Sequence, residues 1–271
     1  MKEQVVLYET DGPIATVTLN RPKYRNAQSY DLLDALDAAF DRAVADHEIK
    51  VIVLRGAGGN FSSGHDLGTP EQLALREERG IPSDGIGFYE NFRHYNLDVT
   101  VKWRNLPKPT IAMVEGFCIF GGWMIAASMD LVFAASDALF LPALLEYYSV
   151  PFDIGPKKAK ELLFESRFLS ANEACDLGFV NRIYAPGDLE RETMLYAQRC
   201  AENSHTALRM SKLATNKAQD LMGYSNSVES AFADYLVMMN ARGTGRAEGN
   251  DRRLMGVDLA LRGLRKERPG L

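Results

Sequence analysis

The sequence predicts an α/β fold in which strand-turn-helix units form the core and helices form the C-terminal part. Three observations indicate this. Residues 108–136 have the pattern of strand, tight loop, helix and strand, and residues 50–67 show an apolar strand followed by a glycine-rich turn. From Asp188 onward, apolar residues recur at helical spacing. We therefore expect a core over residues 1–197 and a helical region over residues 198–271.

Composition and charge restrict the class of protein. With 271 residues, of which 46% are hydrophobic, the chain can bury a substantial core. A net charge of −5 without a sustained basic stripe argues against nucleic-acid binding. Because no apolar segment is long enough to span a bilayer and the start MKEQVVLYET has no signal-peptide core, we expect a cytoplasmic protein that binds no membrane. Three widely spaced cysteines indicate free thiols, and no metal-ligand spacing is evident.

The first elements can be assigned from turn and cap signals. Apolar runs over 5–9 and 14–20 flank Asp11-Gly12-Pro13, which predicts a hairpin. Ser29 is placed as the N-cap of an amphipathic helix that continues to about Asp46. After a charged segment, a second helix is expected from about Phe88 to Arg104, and Ser170 and Gly178 are expected to bound a third.

The stretch KPTIAMVEGFCIFGGWMIAASMDLVFAAS is the most informative part of the chain. The pair Gly121-Gly122 lies where a loop enters a helix, so backbone N–H groups there point outward at the positive end of the helix dipole. Such a corner can stabilise an oxyanion. The alternative explanation for the two glycines is that close packing requires them. A second glycine corner follows the strand KVIVLR and places Gly64 and His65 just beyond it. Two such corners can converge on one ligand.

Together these segments resemble the crotonase superfamily, the enoyl-CoA hydratase and isomerase relatives. FSSGHDL stands where that family has F-x-A-G-x-D-[LI], and GFCIFGGWMIAASMDLVFAA where it has G-x-x-x-G-G-G-x-x-L-x-x-x-C-D. The resemblance implies a crotonase (ClpP/crotonase-like) spiral with a C-terminal trimerisation region, and a homotrimer or homohexamer. It also implies that the N–H groups of His65 and Gly121 bind the carbonyl of an acyl-CoA thioester. Coenzyme A would enter as part of the substrate, with no separate cofactor.

Two departures from the family pattern concern the catalytic carboxylates. Hydratases of the family carry one glutamate two residues after the last loop glycine, where this chain has Met124, and a second where it has Leu144. Neither side chain can transfer a proton. Candidate replacements lie close by: Asp153, in SVPFDIG, resembles an aspartate of the dihydroxynaphthoyl-CoA synthase branch. The predicted catalytic set comprises His65, Gly121, Asp153, Glu146 and Tyr148. The alternative to a catalytic role for each polar candidate is that its side chain is simply exposed or has a structural role.

The resemblance also implies an acyl-CoA site. Arg25 matches the basic residue that in the family lies near the CoA phosphates, although a solvated loop cation is an equal alternative. Residues 68–106 correspond to a flap whose aromatic residues either line an acyl pocket or form plain core. The predicted substrate-binding set comprises Arg25, Ser63, Asp66, Met124 and Leu144.

The expected function is that of an enoyl-CoA hydratase/isomerase-like enzyme that stabilises a thioester enolate. Two alternatives remain open at this stage. One is a ring-forming or C–C bond-cleaving acyl-CoA enzyme that uses Asp153, and the other is a non-catalytic acyl-CoA-binding subunit. Loss of both glutamates is compatible with either.

Overall fold

A computed structural model describes residues 4–142, 144–243 and 252–267 of the chain. The strands in this part of the chain are Val6–Asp11 (β1), Ile14–Leu19 (β2), Val51–Gly56 (β3), Thr110–Val114 (β4), Phe117–Ile119 (β5), Leu131–Ala135 (β6), Leu139–Leu141 (β7), Leu169–Ser170 (β8) and Arg182–Tyr184 (β9). The predicted hairpin is confirmed, because β1 and β2 pair antiparallel across the turn at Gly12.

Helices follow most of the strands. They are Tyr30–Ala45 (α1), Pro70–Glu78 (α2), Gly85–Arg93 (α3), Val99–Arg104 (α4), Gly121–Ser128 (α5), Val150–Ile154 (α6), Pro156–Glu165 (α7), Ala171–Asp176 (α8), Leu189–Ala201 (α9), His205–Leu221 (α10), Tyr224–Gly243 (α11) and Arg252–Glu267 (α12). Short 3₁₀ turns cover Pro22–Tyr24 and Leu145–Tyr147. The two predicted caps are confirmed, since the hydroxyl groups of Ser29 and Ser170 accept hydrogen bonds from the first turns of α1 and α8.

The main sheet of the described residues has the order β1-β2-β3-β4-β6-β9, and all its pairs except β1-β2 are parallel. Alternate residues of β3 face opposite sides. Ile52 and Leu54 belong to the large core that includes Leu36 and Phe40 of α1, and Val51 and Val53 pack in the core covered by α9. Burial on both faces explains why KVIVLR is continuously apolar.

A second sheet, β5-β7-β8, was not predicted from the sequence. Its strands are two or three residues long, too short to show an alternating pattern. The sheet determines the path of the chain between β4 and α5. Ile119, Leu139 and Leu141 of this sheet pack with residues of α12.

The helix predicted from Phe88 to Arg104 exists but changes pitch. α3 passes into a π-helical segment, His94–Asp98, which we call the π-turn, and then into α4. The extra residue per turn rotates the following side chains relative to a continuous α-helix. Single π-turns of this kind often occur at functional sites.

The predicted division between residues 197 and 198 lies within α9, which packs along its length on the main sheet through Leu189, Ala197 and Ala201. Residues 244–251 and 268–271 of the expected helical region lie outside the described residues. In the described part of the chain, no helix is long and apolar enough to cross a membrane. The same residues contain no acid, His and Cys cluster suited to a metal ion, and Cys118, Cys175 and Cys200 are free thiols.

Candidate active site

The loop after β3 forms a short strand-like segment at His65. Gln28 N donates to Gly64 O at 2.8 Å, and Asp66 N donates to Gln28 O at 3.1 Å. Because successive backbone groups of an extended segment point in opposite directions, the N–H of His65 points away from Gln28. Gly64 has φ +90°, a value that favours glycine, and so permits the bend immediately before His65.

The second corner is formed by β5 and the start of α5. Phe120 precedes the helix with φ 45° and ψ −102°, at the position where the crotonase pattern has a glycine. A non-glycine residue in such a conformation costs about 1–3 kcal/mol. Its side chain does not cap the helix, so the N–H groups that begin with Gly121 present the positive end of the α5 dipole.

The two corners are in direct contact. A Cβ atom built on Gly64 would lie 2.8 Å from Ile119 O and 3.3 Å from Gly121 N. One built on Gly121 would lie 2.5 Å from Gln28 Oε1 and 3.0 Å from His65 Cε1. The backbone at His65 and the backbone at Gly121 therefore lie side by side, which is the arrangement required for two N–H groups to share one oxyanion.

A cavity of about 1170 Å³ opens at this junction. Its walls come from the loop 24–28, α1, α2, α3, the π-turn, the 3₁₀ turn at 145–147, α11 and α12. Residues that the sequence placed in the site and that line this cavity are Arg25, Ser63, His65, Asp66, Leu144 and Glu146. A single cavity thus joins both glycine corners to the flap that covers residues 68–106.

Three of the predicted substrate-binding residues have defined structural contacts. Arg25 is exposed at the cavity edge, with its guanidinium 5.7 Å from the ring centroid of Phe117. Ser63 Oγ donates to Tyr24 O at 3.1 Å. Asp66 accepts from Arg21 Nη1 at 2.9 Å and from Thr69 Oγ1 at 2.6 Å. Asp66 therefore closes the loop after His65 rather than presenting an unsatisfied carboxylate to a ligand.

Burial and hydrogen bonding shift the pKa of Asp66 in opposite directions. Burial raises its pKa, but hydrogen bonds from Thr69, Gly68 and Arg21 outweigh it and leave the pKa below the usual value. An aspartate held ionised in this way is a weak base and is not available as an acid. Its hydrogen bonds hold the loop after His65, and contact between Asp66 and the substrate stays a prediction.

Met124 and Leu144, where the family resemblance places the two hydratase glutamates, occupy different environments. Met124 is buried within the large core and is not among the cavity-lining residues of the described chain. Leu144 lines the cavity. Both surroundings suit an apolar side chain, and neither position supplies a group that can move a proton.

The predicted replacement groups also lie in different places. Glu146 lines the cavity from the 3₁₀ turn and is 5% exposed. Asp153 and Tyr148 are not among the cavity-lining residues of the described part. The Asp153 carboxylate accepts from Trp123 Nε1 at 3.1 Å and from Ser149 Oγ at 2.6 Å. Of these two carboxylates, that of Glu146 lines the cavity and that of Asp153 does not, and a catalytic role for Asp153 stays a prediction.

Burial raises the pKa of Asp153 to about 6, although the hydrogen bonds from Ser149 and Trp123 act in the opposite direction. Trp123 belongs to the first turn of α5, and its ring stacks on Phe179 with centroids 3.7 Å apart. Asp153 thus connects α6 to the helix that carries Gly121. Burial also raises the pKa of Tyr148.

Several residues of the site were not predicted. Gln28 is buried and lies against both glycine corners, but an isolated glutamine carries no sequence signal for this role. The π-turn contributes Asn96, and α11 contributes Tyr235, Leu236 and Met239. The apolar run YLVMM near the end of α11 was a possible signal, but nothing local to it shows which distant cavity it closes.

The sequence model of the family described as "Enoyl-CoA hydratase/isomerase" matches residues 9–231. The chain belongs to this family. This confirms the crotonase fold that the two glycine motifs predicted and shows an enzyme of the hydratase/isomerase type.

Known members of the enoyl-CoA hydratase/isomerase family resemble this chain over most of its length. EchA13 of Mycobacterium tuberculosis, provisionally named an enoyl-CoA hydratase, is 36% identical over 250 residues, covering 84% of this chain and 79% of that protein. The short-chain-enoyl-CoA hydratase of Clostridium acetobutylicum is 32% identical over 222 residues, covering 78% and 81%. The crystal structure of an enoyl-CoA hydratase/isomerase from Xanthobacter autotrophicus Py2 has a TM-score of 0.76 and 31% identity, covering 84% and 85%.

Proposed function

We propose that this family member moves a proton on an acyl-CoA thioester, with the N–H groups of His65 and Gly121 stabilising the enolate oxygen. Glu146 is the acid and base, and double-bond isomerisation is the reaction that one such group supports best. The observation that carries the proposal is the position of Glu146, which lines the same cavity as His65 while the two glutamate positions of the family hold Met124 and Leu144.

Other carboxylates of the cavity are less suitable. Asp66 is held ionised by Arg21, Thr69 and Gly68. Asp84 is exposed at the start of α3, where water has free access. Glu146 is buried, so a proton that it carries is shielded from exchange with solvent. It is the carboxylate of the described cavity that best combines burial with access to the ligand.

The isomerisation needs no catalytic acid or base other than Glu146. Glu146 takes a proton from C2 of a 3-enoyl thioester, and the electron pair of that C–H bond forms a C1–C2 double bond while the carbonyl π pair moves to the oxygen. The resulting dienolate oxygen is stabilised by His65 N–H and Gly121 N–H, and when it collapses the C1–C2 pair forms the C2–C3 double bond and the C3–C4 pair takes the proton at C4. Protonated Glu146 then delivers the proton to C4, and a conjugated 2-enoyl thioester remains. No water, redox partner or separate cofactor enters the balance, so coenzyme A participates as part of the substrate.

Hydration of the double bond requires two catalytic groups, whereas isomerisation requires one. Adding water needs one group to deprotonate water and another to protonate the α carbon, and each contributes about 10²–10⁴ in rate. Met124 and Leu144 supply neither. Isomerisation needs a single group that acts first as base and then as acid, which Glu146 can provide.

Assembly is also proposed. α10 has no buried residue, and its exposed apolar side chains include Met210, Leu213 and Leu221. Leu221 is 90% exposed, an arrangement that favours burial against another copy of the chain. We propose a homotrimer or a homohexamer, as the family resemblance implies.

The test of the catalytic proposal is Glu146→Gln, assayed by formation of the conjugated thioester from 3-hexenoyl-CoA. We expect kcat to fall by about 10²–10⁴, with little change in the Kd of saturated hexanoyl-CoA. Glu202→Gln, at an exposed position at the end of α9, is the matched control and should retain activity. A Glu146→Gln enzyme with kcat within about twofold of the unmodified protein would exclude Glu146 as the proton carrier.

A labelled substrate tests the single-group mechanism separately. If Glu146 performs both steps, a C2-deuterated 3-enoyl thioester should yield product that carries part of the deuterium at C4. Product without any C4 deuterium under single-turnover conditions would mean that two separate groups, or exchange with water, perform the transfers.

A further inference from the structure

We infer that this cavity selects acyl groups that carry an aromatic ring over linear acyl groups with the same number of carbons. The inference rests on the proposed function in that it takes the cavity to be the acyl-CoA site. It concerns which thioester is bound, and so can be tested without catalysis.

The size and composition of the cavity support a large, ring-bearing ligand. Its volume of about 1170 Å³ exceeds the ~300–1,000 Å³ typical of sites for drug-sized ligands. Nine of its 34 lining residues are Phe or Tyr, whereas aromatic residues make up 10% of the chain. Because the cavity includes Arg25, it has to hold CoA as well as the acyl group, so the preference for a ring rests on the aromatic lining and not on volume alone.

One wall of the cavity comes from a group of stacked rings of α3 and α11, of which Phe88, Phe92 and Tyr235 line the cavity and Phe232 packs behind them. Phe92 lies at its centre, with ring centroids 5.5 Å from Phe88, 5.7 Å from Tyr235 and 5.8 Å from Phe232. The planes of Phe92 and Tyr235 differ by 12°, so these two rings are nearly parallel. Parallel ring faces suit offset stacking with a further planar group.

This wall is held in place by charge as well as packing. Arg93 of α3 donates two hydrogen bonds to Glu229 of α11, at 2.9 Å and 2.7 Å. A bidentate arginine-carboxylate pair fixes the relative orientation of the two helices. The Phe92 wall is therefore preorganised, which reduces the entropy lost when a ligand binds.

A second aromatic pair comes from α1 and the π-turn. The rings of Tyr30 and Tyr95 lie 4.4 Å apart, and both residues line the cavity. Their hydroxyl groups are already bonded, Tyr30 to Asn91 Oδ1 at 3.1 Å and Tyr95 to Asp34 Oδ1 at 2.9 Å. Because both hydroxyl groups already make hydrogen bonds within the protein, Tyr30 and Tyr95 would contact a ligand through their rings.

The aromatic surfaces and the proposed proton carrier lie at the same part of the cavity. The 3₁₀ turn that holds Glu146 packs against α11 and the π-turn, the elements that provide Tyr235 and Tyr95. Arg25, the candidate partner of the CoA phosphates, lies instead beside Phe117 of β5. A thioester bound with CoA toward Arg25 would thus extend its acyl group between the rings.

The test compares two saturated thioesters that cannot react and that each have ten acyl carbons, 4-phenylbutanoyl-CoA and decanoyl-CoA. Calorimetry on the full-length protein should give a Kd about tenfold lower for 4-phenylbutanoyl-CoA, the gain expected from stacking against two preorganised surfaces. Phe92→Leu, which removes the ring but keeps an apolar side chain, should reduce this preference to about threefold or less. Its affinity for decanoyl-CoA should change little.

Phe164→Leu is the matched control, since Phe164 is 82% exposed on α7 and is not among the cavity-lining residues described. Decanoyl-CoA binding as tightly as 4-phenylbutanoyl-CoA would overturn the inference, and so would an unchanged preference in a folded Phe92→Leu protein. The Glu146→Gln variant should keep the preference for the ring. If it does so while its isomerase activity is also unchanged, the proposed proton carrier is wrong and the acyl selectivity stands.

Discussion

Replacing Gly64 with alanine tests whether the contact between the two glycine corners is the seat of activity. Gly64 has φ +90°, and an added Cβ would lie 2.8 Å from Ile119 O, a backbone atom that cannot rotate away. The same Cβ would lie 3.3 Å from Gly121 N. The substitution therefore forces the His65 loop and the start of α5 apart.

Two effects contribute to the expected result. A left-handed backbone conformation costs alanine about 1–2 kcal/mol of stability. In domains of 150–250 residues, each kcal/mol lowers Tm by about 2–4 °C. Separating the corners also misplaces both N–H groups relative to the enolate oxygen, and loss of one such donor costs about 10²–10³ in kcat. We expect Gly64→Ala to lower kcat by about 10²-fold.

Gly12→Ala separates the two effects. Gly12 also has a positive φ, +52°, but it lies in the β1-β2 hairpin and an added Cβ would meet no atom within 4 Å. It should lose only the ~1–2 kcal/mol of stability that the backbone conformation costs, measured by Tm, while retaining its kcat with 3-hexenoyl-CoA. If Gly64→Ala also keeps its kcat within about threefold, the convergence of the corners is not what stabilises the enolate.

Three further predictions concern the site and the assembly. His65→Ala should largely preserve thioester affinity because the backbone N–H remains, whereas Gly121→Pro removes a donor and should abolish turnover; equal tolerance of both changes would contradict the assignment. Hydration of crotonyl-CoA should be slow, since Met124 and Leu144 cannot transfer protons. If the hydration rate, measured by loss of crotonyl-CoA, is that of ordinary hydratases, another pair of groups transfers the protons. Light scattering should report about three or six times the chain mass of 30.1 kDa, and a strict monomer at micromolar concentration would exclude the proposed assembly.

The parts of the fold that were predictable are those with long apolar runs or strong local signals. KVIVLR, the Ser29 cap and the turn at Gly12 each specify their element from neighbouring residues, and all three are confirmed. β5, β7 and β8 are too short for a periodic pattern, and their pairing joins residues as distant as Phe140 and Leu169. Their formation depends on tertiary context that a sequence window does not contain.

The same distinction holds within the site. The corners at His65 and Gly121 were predictable because glycine motifs determine local backbone conformation. Whether Glu146 or Asp153 faces the cavity depends on the path of the chain after β7, where a 3₁₀ turn exposes Glu146 to the cavity and α6 directs Asp153 to Trp123. Both residues lie in one short segment, so spacing alone did not distinguish them.

Because Asp153 is buried, its ionisation should make the stability of the protein depend on pH. Burial raises its folded pKa to about 6, from an ordinary value of 3.8, so the folded protein binds this proton more tightly than the unfolded chain. The contribution of Asp153 to stability is therefore largest at low pH and declines as pH rises from about 4 to about 6, by at most about 3 kcal/mol. Asp153→Asn removes this dependence, so its stability in urea should improve relative to the unmodified protein across that range, and parallel curves would contradict the buried-carboxyl assignment. If the variant also keeps its isomerase kcat, Asp153 is not the proton carrier, whereas a loss as large as that of Glu146→Gln with an unchanged Kd for hexanoyl-CoA would assign the proton transfer to Asp153.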